Sequence, residues 1–169
     1  MRFLQKHAGW LILPILFALA VFATKTTSVI APGANDSSPS RPVIPNERLA
    51  RIDRYFAERN MPLAGYGAKF IEVADQCDMD WRLLPAIAVW ESSGGKQACG
   101  NNPFGWASCR ADFESVEQAI EIVGANLCGF NPRTATYYGR KNTLQKLQSY
   151  NGTVNPNYPD EVLSIVDDF

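Results

Sequence analysis

The chain has 169 residues, 46% of them hydrophobic and 20% charged, with a formal net charge of −1 and one histidine, His7. That length suits one ordinary globular domain plus an added segment. A single imidazole excludes a Ser-His-Asp or Cys-His centre and histidine-based zinc sites, the four cysteines contain no C-x-x-C pair, and near-neutral charge offers no field for nucleic acid.

Carboxylate chemistry, binding without chemistry or a structural role remains. Arg2, Lys6 and His7 precede an uncharged apolar run over residues 8–24. Basic residues followed by such a run predict an export signal, with Ala18-Leu19-Ala20 and Val21-Phe22-Ala23 as small-residue cleavage sites. A run of this length sits at the short end of what spans a hydrocarbon core, so residues 1–24 are either a cleaved signal or a retained membrane anchor. Without them, 14 basic residues face 17 acidic ones, a mildly acidic domain of net charge −3. The expected location is outside the cytoplasm: periplasmic, anchored in the inner membrane or secreted.

Residues 25–45 are rich in Thr, Ser, Pro, Gly and Asn, and Ser37-Ser38-Pro39-Ser40-Arg41-Pro42 lies at their centre. Such a composition cannot bury enough apolar surface to order itself, which predicts a disordered linker. Residues 46–169 then carry helical periodicity. Asn46 is placed to cap a first helix through Leu49, Ile52 and Phe56. Phe70, Val73, Ala74 and Cys77 mark a second. Asp80 is placed to cap a third, running through Leu83, Leu84, Ile87 and Ala88 towards Glu91, with a kink or a late start imposed by Pro85. Ser115-Val116-Glu117-Gln118 is a capping-box sequence for a fourth, with Val116, Ala119, Ile120, Val123 and Leu127 on one face. Leu144 and Leu147 mark a short fifth. Pro159 starts the last, with Val162, Val166 and Phe169 on one face. Residues 94–113 carry no helical period and predict a small irregular or hairpin lobe. The fold class is mostly α.

Outside the cytoplasm disulfides persist. Cys99 and Cys109 bracket a short Gly/Asn/Pro-rich loop and are paired, which leaves Cys77 with Cys128, one of three connectivities open to four cysteines.

Most acidic residues fall on solvated faces. Glu91 differs: it follows the apolar run Ala86-Ile87-Ala88-Val89-Trp90 and precedes Ser92-Ser93-Gly94-Gly95, where the helix must end. A carboxyl partly desolvated there keeps its proton to higher pH, which a general acid requires.

The stretch Glu91-Ser92-Ser93-Gly94-Gly95-Lys96, followed by Asn101-Asn102-Pro103-Phe104-Gly105-Trp106, resembles the catalytic region of the lysozyme-like superfamily. It is closest to the endo-β-N-acetylglucosaminidase domains of bacterial autolysins and flagellar muramidases. Phe113-Glu114-Ser115-Val116-Glu117-Gln118-Ala119 and the tail Asn155-Pro156-Asn157-Tyr158-Pro159-Asp160-Glu161-Val162 are similar to later segments of that family. Tyr150-Asn151-Gly152 is similar to a turn of soluble lytic transglycosylases. The resemblance implies a lysozyme-like catalytic domain over residues 46–169 that cuts the β-1,4 bond between N-acetylmuramic acid and N-acetylglucosamine in peptidoglycan. It makes Glu91 the general acid and sets Tyr150 beside it. It also sets Ser92, Asn102, Phe104, Trp106 and Tyr158 at the substrate, where aromatic faces pack on sugar rings and amides read N-acetyl groups.

The pattern departs from its family in the stretch after Gly105, which is short and holds only Asp112 and Glu114 as second carboxylates. Ordinary glycosidases use two. Glu91 acting alone, with the substrate's C6 hydroxyl, its N-acetyl group or a water as nucleophile, is the expectation, by hydrolysis or by lytic transglycosylation. The alternative is a peptidoglycan-binding or scaffolding module without catalysis. No cofactor, metal or nucleic acid is expected. The expected partners are glycan strands and an envelope-spanning machine, with membrane contact only through the N-terminal segment and a monomeric chain.

Overall fold

The computed structural model describes residues 47–169; the signal or anchor (1–24), the linker (25–45) and the Asn46 cap lie outside the described residues. Among the described residues the protein is mostly helical. Seven α-helices follow in order: α1 (Glu47–Glu58), α2 (Gly67–Asp75), α3 (Leu83–Ser92), α4 (Val116–Leu127), α5 (Ala135–Tyr138), α6 (Thr143–Leu147) and α7 (Tyr158–Val166). A π-helical turn, Gln148–Gly152, continues α6 directly. The one β-bridge among the described residues joins Cys99 and Asn102, so the expected lobe is an irregular loop rather than a hairpin.

α1 buries Ile52, Tyr55 and Phe56 against α2. The turn between them is held by Asp53, whose Oδ1 accepts the N–H groups of Gly65 and Gly67, each at 2.9 Å. A side chain at Gly67 would come within 2.9 Å of the Leu49 carbonyl, so glycine permits this close crossing. α2 ends two residues before Cys77, which the periodicity had placed inside it. The chain reverses through Asp78, whose φ is +53°, while the Met79 N–H returns to the Ala74 carbonyl. That reversal brings Cys77 to Cys128, which directly follows α4, and the two form a disulfide.

α3 is the central helix. Its residues from Leu83 to Ala88 are all buried, as expected of a helix apolar on every side. It packs chiefly on α7. The Asp80 carboxylate does not cap it as expected; Oδ1 accepts the Arg82 N–H at 3.0 Å and the carboxylate pairs with the Arg82 guanidinium, so the helix starts late, at Leu83. Pro85 then falls in the first turn, where a missing N–H costs nothing.

α4 is capped as its sequence predicts: Ser115 Oγ accepts the Gln118 N–H, while Gln118 Oε1 accepts the N–H of Glu114. α2 crosses it at Gly124, where a methyl group would overlap Val73. In α7, Tyr158, Pro159, Val162 and Val166 face the core, and beyond it Phe169 stacks on Tyr55 with ring centres 4.1 Å apart. The second disulfide joins Cys99 to Cys109. Two disulfides are consistent with an exported protein. Among the described residues, no helix is long and apolar enough to cross a membrane.

Candidate active site

Glu91 stands in the last turn of α3. The helix stops just beyond it because Ser93 and Gly94 both turn left-handed, at φ +53° and +65°, and send their N–H groups back to the Ala88 and Val89 carbonyls. Behind the carboxyl lies the apolar body of α3. In front of it opens a cleft of about 500 Å³, walled by Trp106, Tyr138 and Tyr150 and edged by Gly105 and Asn151.

The loop after α3 builds one wall. Ser92 Oγ donates to the Pro103 carbonyl at 2.7 Å and accepts the Gly95 N–H, so the helix end and the loop are one unit. Asn102 holds the next turn: its Nδ2 donates to the carbonyls of Trp106 and Ala111, and its Oδ1 accepts the Trp106 N–H at 3.1 Å. Phe104 is fully buried in the core, and its carbonyl accepts the Tyr150 hydroxyl at 2.7 Å. That bond ties the wall loop to the π-helical turn, whose wider winding presents both Tyr150 and Asn151 to the cleft.

The expected site residues therefore divide. Glu91, Trp106 and Tyr150 line the cleft together. Ser92, Asn102 and Phe104 do not face it, contrary to the sequence reading. Each is at most 2% exposed, and the polar atoms of Ser92 and Asn102 are consumed by backbone groups of the wall, which they brace from behind. Tyr158 is wholly buried beneath the acid, its ring parallel to that of Tyr150 at 5.9 Å and edge-on to Trp90. Asp112 and Glu114 are exposed and neither lines the cleft, so Glu91 is the one carboxylate among its described lining residues.

Little in the sequence points to Tyr138. It lines the cleft beside Trp106, with the two ring centres 6.2 Å apart. The pair Tyr137-Tyr138 was the only sequence signal for it, and nothing local says which of the two points inward.

Burial dominates the electrostatics. It raises the Glu91 pKa above the ordinary glutamate value, and the nearby Tyr158 hydroxyl pulls the other way. The negative end of α3 acts in the same direction as burial. The Tyr158 hydroxyl is close enough to Glu91 to influence its proton, yet it makes no hydrogen bond of ordinary geometry. Burial also holds the Tyr150 hydroxyl protonated, with its pKa well above the usual phenol range and raised further by the Glu91 charge. Tyr138 is pushed up to about 12, again by burial.

The arrangement gives one carboxyl that resists ionisation, set among aromatic rings and neutral hydroxyls in an open cleft. Chemically it suits proton donation to a neutral, hydroxyl-rich ligand. Among the described residues no group of His, Cys, Asp and Glu is placed to hold a metal ion. Comparison with protein-family models, with curated proteins and with solved structures found no match.

Proposed function

We propose that this chain cuts peptidoglycan glycan strands at the β-1,4 bond between N-acetylmuramic acid and N-acetylglucosamine, with Glu91 as general acid. The observation that carries the reading is the Glu91 carboxyl, its pKa raised by desolvation, facing an aromatic-walled cleft. The order of the Glu91-Ser92, Asn101-Asn102 and Tyr150-Asn151-Gly152 segments, which resemble the lysozyme-like superfamily, supports the same chemistry. Two disulfides suit a protein that works where its substrate is, outside the cytoplasm.

In this mechanism the strand lies along the cleft with a sugar face against Trp106. The Glu91 carboxyl gives its proton to the glycosidic oxygen as the C1–O bond breaks. The leaving sugar departs with a new hydroxyl, and positive charge develops on the ring left behind. Among the described residues no second carboxylate lines the cleft to capture that ring as a retaining glycosidase would. Instead, the Glu91 carboxylate takes the proton from the ring's own C6 hydroxyl as that oxygen bonds to C1. The acid is thereby regenerated and the product carries a 1,6-anhydro end. A water deprotonated in the same way would give a reducing end.

The test is digestion of purified peptidoglycan by the wild type and by Glu91→Gln, with product analysis. Clearing that depends on Glu91 and yields anhydro ends is the expected result; clearing that persists in Glu91→Gln refutes the assigned role. The single carboxylate also suits a glycan-binding module without catalysis, and tight binding by the wild type with no chain shortening would select that reading.

A further inference from the structure

Three tyrosines surround Glu91, and their hydroxyls differ in what they remain free to do. That of Tyr150 is committed to the Phe104 carbonyl. That of Tyr158 is sealed beneath the acid with no surface of its own. Tyr138 is 6% exposed and lines the cleft, and its hydroxyl bonds to no group among the described residues. A hydroxyl that opens on a cleft and bonds to no protein group is free to bond a ligand's polar group.

The way Tyr138 is held points the same way. A four-residue helix such as α5 has no stability of its own. Its start is tied to α4 through Asn126: Oδ1 accepts from Thr134 Oγ1 at 2.6 Å and from Asn131 Nδ2 at 3.0 Å, while Nδ2 donates to the Ile122 carbonyl. Its end is tied by Lys146, whose Nζ donates to the carbonyls of Leu127 and Tyr138, at 2.5 and 3.0 Å. Between these ties Gly129 meets Gly139 so closely that a β-carbon on Gly129 would fall 2.5 Å from the Gly139 Cα. A buried polar network and a close glycine contact thus fix a single turn of helix whose inward side chain is Tyr138.

We infer that Tyr138 is a ligand-binding residue of the cleft, its hydroxyl hydrogen-bonding a hydroxyl or N-acetyl amide on the sugar ring that packs against Trp106. The inference rests on the glycan reading above. The Trp106 and Tyr138 rings, tilted by 41°, give one apolar face and one polar tip, which match the C–H face and polar edge of a pyranose. Because burial keeps the phenol protonated, this contact is neutral and does not change across the working pH range.

The experiment uses the full chain carrying Glu91→Gln, titrated calorimetrically with a soluble hexamer of β-1,4-linked N-acetylglucosamine. Adding Tyr138→Phe is expected to raise Kd about tenfold, the worth of one buried hydrogen bond, with the melting temperature unchanged. Lys146→Met, which frees the end of α5, is expected to weaken binding in the same direction, and Lys146→Arg to recover part of it. A Kd for Tyr138→Phe within about twofold of its parent overturns the inference, and so does a loss of binding by Tyr138→Phe matched by a loss of its thermal stability. If neither the wild type nor Glu91→Gln binds the hexamer or peptidoglycan strands, the glycan reading fails and takes this inference with it. If they bind and Tyr138→Phe binds equally well, the inference alone fails.

Discussion

Gly105 lies directly against the catalytic candidate: a β-carbon built on it would fall 2.8 Å from Glu91 Oε2. Its backbone is also left-handed, at φ +59°. Both facts favour glycine, one by keeping a methyl group off the carboxyl and the other by strain. Gly105→Ala is expected to push the carboxyl aside and to cost about 1 kcal/mol in backbone strain. A displacement of about 1 Å in a reacting group costs on the order of 100-fold in rate. Glycan cleavage should therefore collapse while the melting temperature falls by only a few degrees, and an alanine variant working at the wild-type rate would show that Glu91 is not the reacting group.

Glu91 itself makes a prediction that needs no substrate. Its pKa is raised in the folded protein because burial penalises the charged form. The folded state then holds the proton more tightly than the unfolded chain, so stability falls as pH rises above the ordinary glutamate pKa of about 4.3. The penalty is complete once pH exceeds the raised, folded-state value, and it is absent well below the ordinary one. Glu91→Gln removes the ionising group, so it should be more stable than the wild type at pH 7 and equal to it near pH 3. Thermal melts at the two pH values check this; equal melting temperatures at pH 7 would mean the carboxyl is not desolvated.

The position of the acid was legible because punctuation around it is strong: an unbroken apolar run from Leu83 to Ala88, then Ser93 and Gly94 to stop the helix. The Cys99–Cys109 pairing was legible because a short loop leaves little choice. Asn102, Phe104 and Ser92 lie elsewhere than residue type suggests, for a physical reason. Residue type says that an amide, a ring and a hydroxyl suit a sugar, but the loop is so tightly wound that its own backbone groups claim Asn102 and Ser92, and the core claims Phe104. α5 was invisible because four residues have no periodicity, and its order comes from Asn126 and Lys146, which are remote in sequence. The inward turn of Tyr138 rather than Tyr137 is decided by the same ties.

Tyr158 is the second lever on the proton. Its hydroxyl is buried without a hydrogen bond and lies near enough to Glu91 to favour the carboxylate. Tyr158→Phe removes that influence, so the Glu91 pKa should rise further. In the proposed mechanism the protonated acid is the working form, and the alkaline limb of the pH–rate profile should move to higher pH. Since an unpaired buried hydroxyl stabilises nothing, the variant should melt at or above the wild-type temperature. A limb that stays in place would show that the two groups do not interact.

The two disulfides should separate stability from activity. In the chain-entropy account, the bridge spanning 51 residues, Cys77–Cys128, contributes about 4 kcal/mol, and the bridge spanning 10, Cys99–Cys109, about 3 kcal/mol. Loss of the first should therefore lower the melting temperature more. For catalysis the order reverses. Neither Cys77 nor Cys128 lines the cleft, whereas Cys99–Cys109 closes the loop that carries Gly105, Trp106, Ala107 and Ser108 on the cleft wall. Ala107, Ser108 and Cys109 are successive left-handed residues, at φ +56°, +55° and +62°, a run that non-glycine residues do not hold unaided. Asn102 secures the wall at Trp106 and Ala111, and between them the disulfide adds a restraint at Cys109. Replacing Cys99 and Cys109 by serine should thus relax the lip at Ala107 and Ser108, lowering cleavage several-fold at a temperature where the domain is still folded. The paired Cys77→Ser and Cys128→Ser variant should cleave normally at that temperature. Equal activity in the two variants would mean that the lip does not touch the strand.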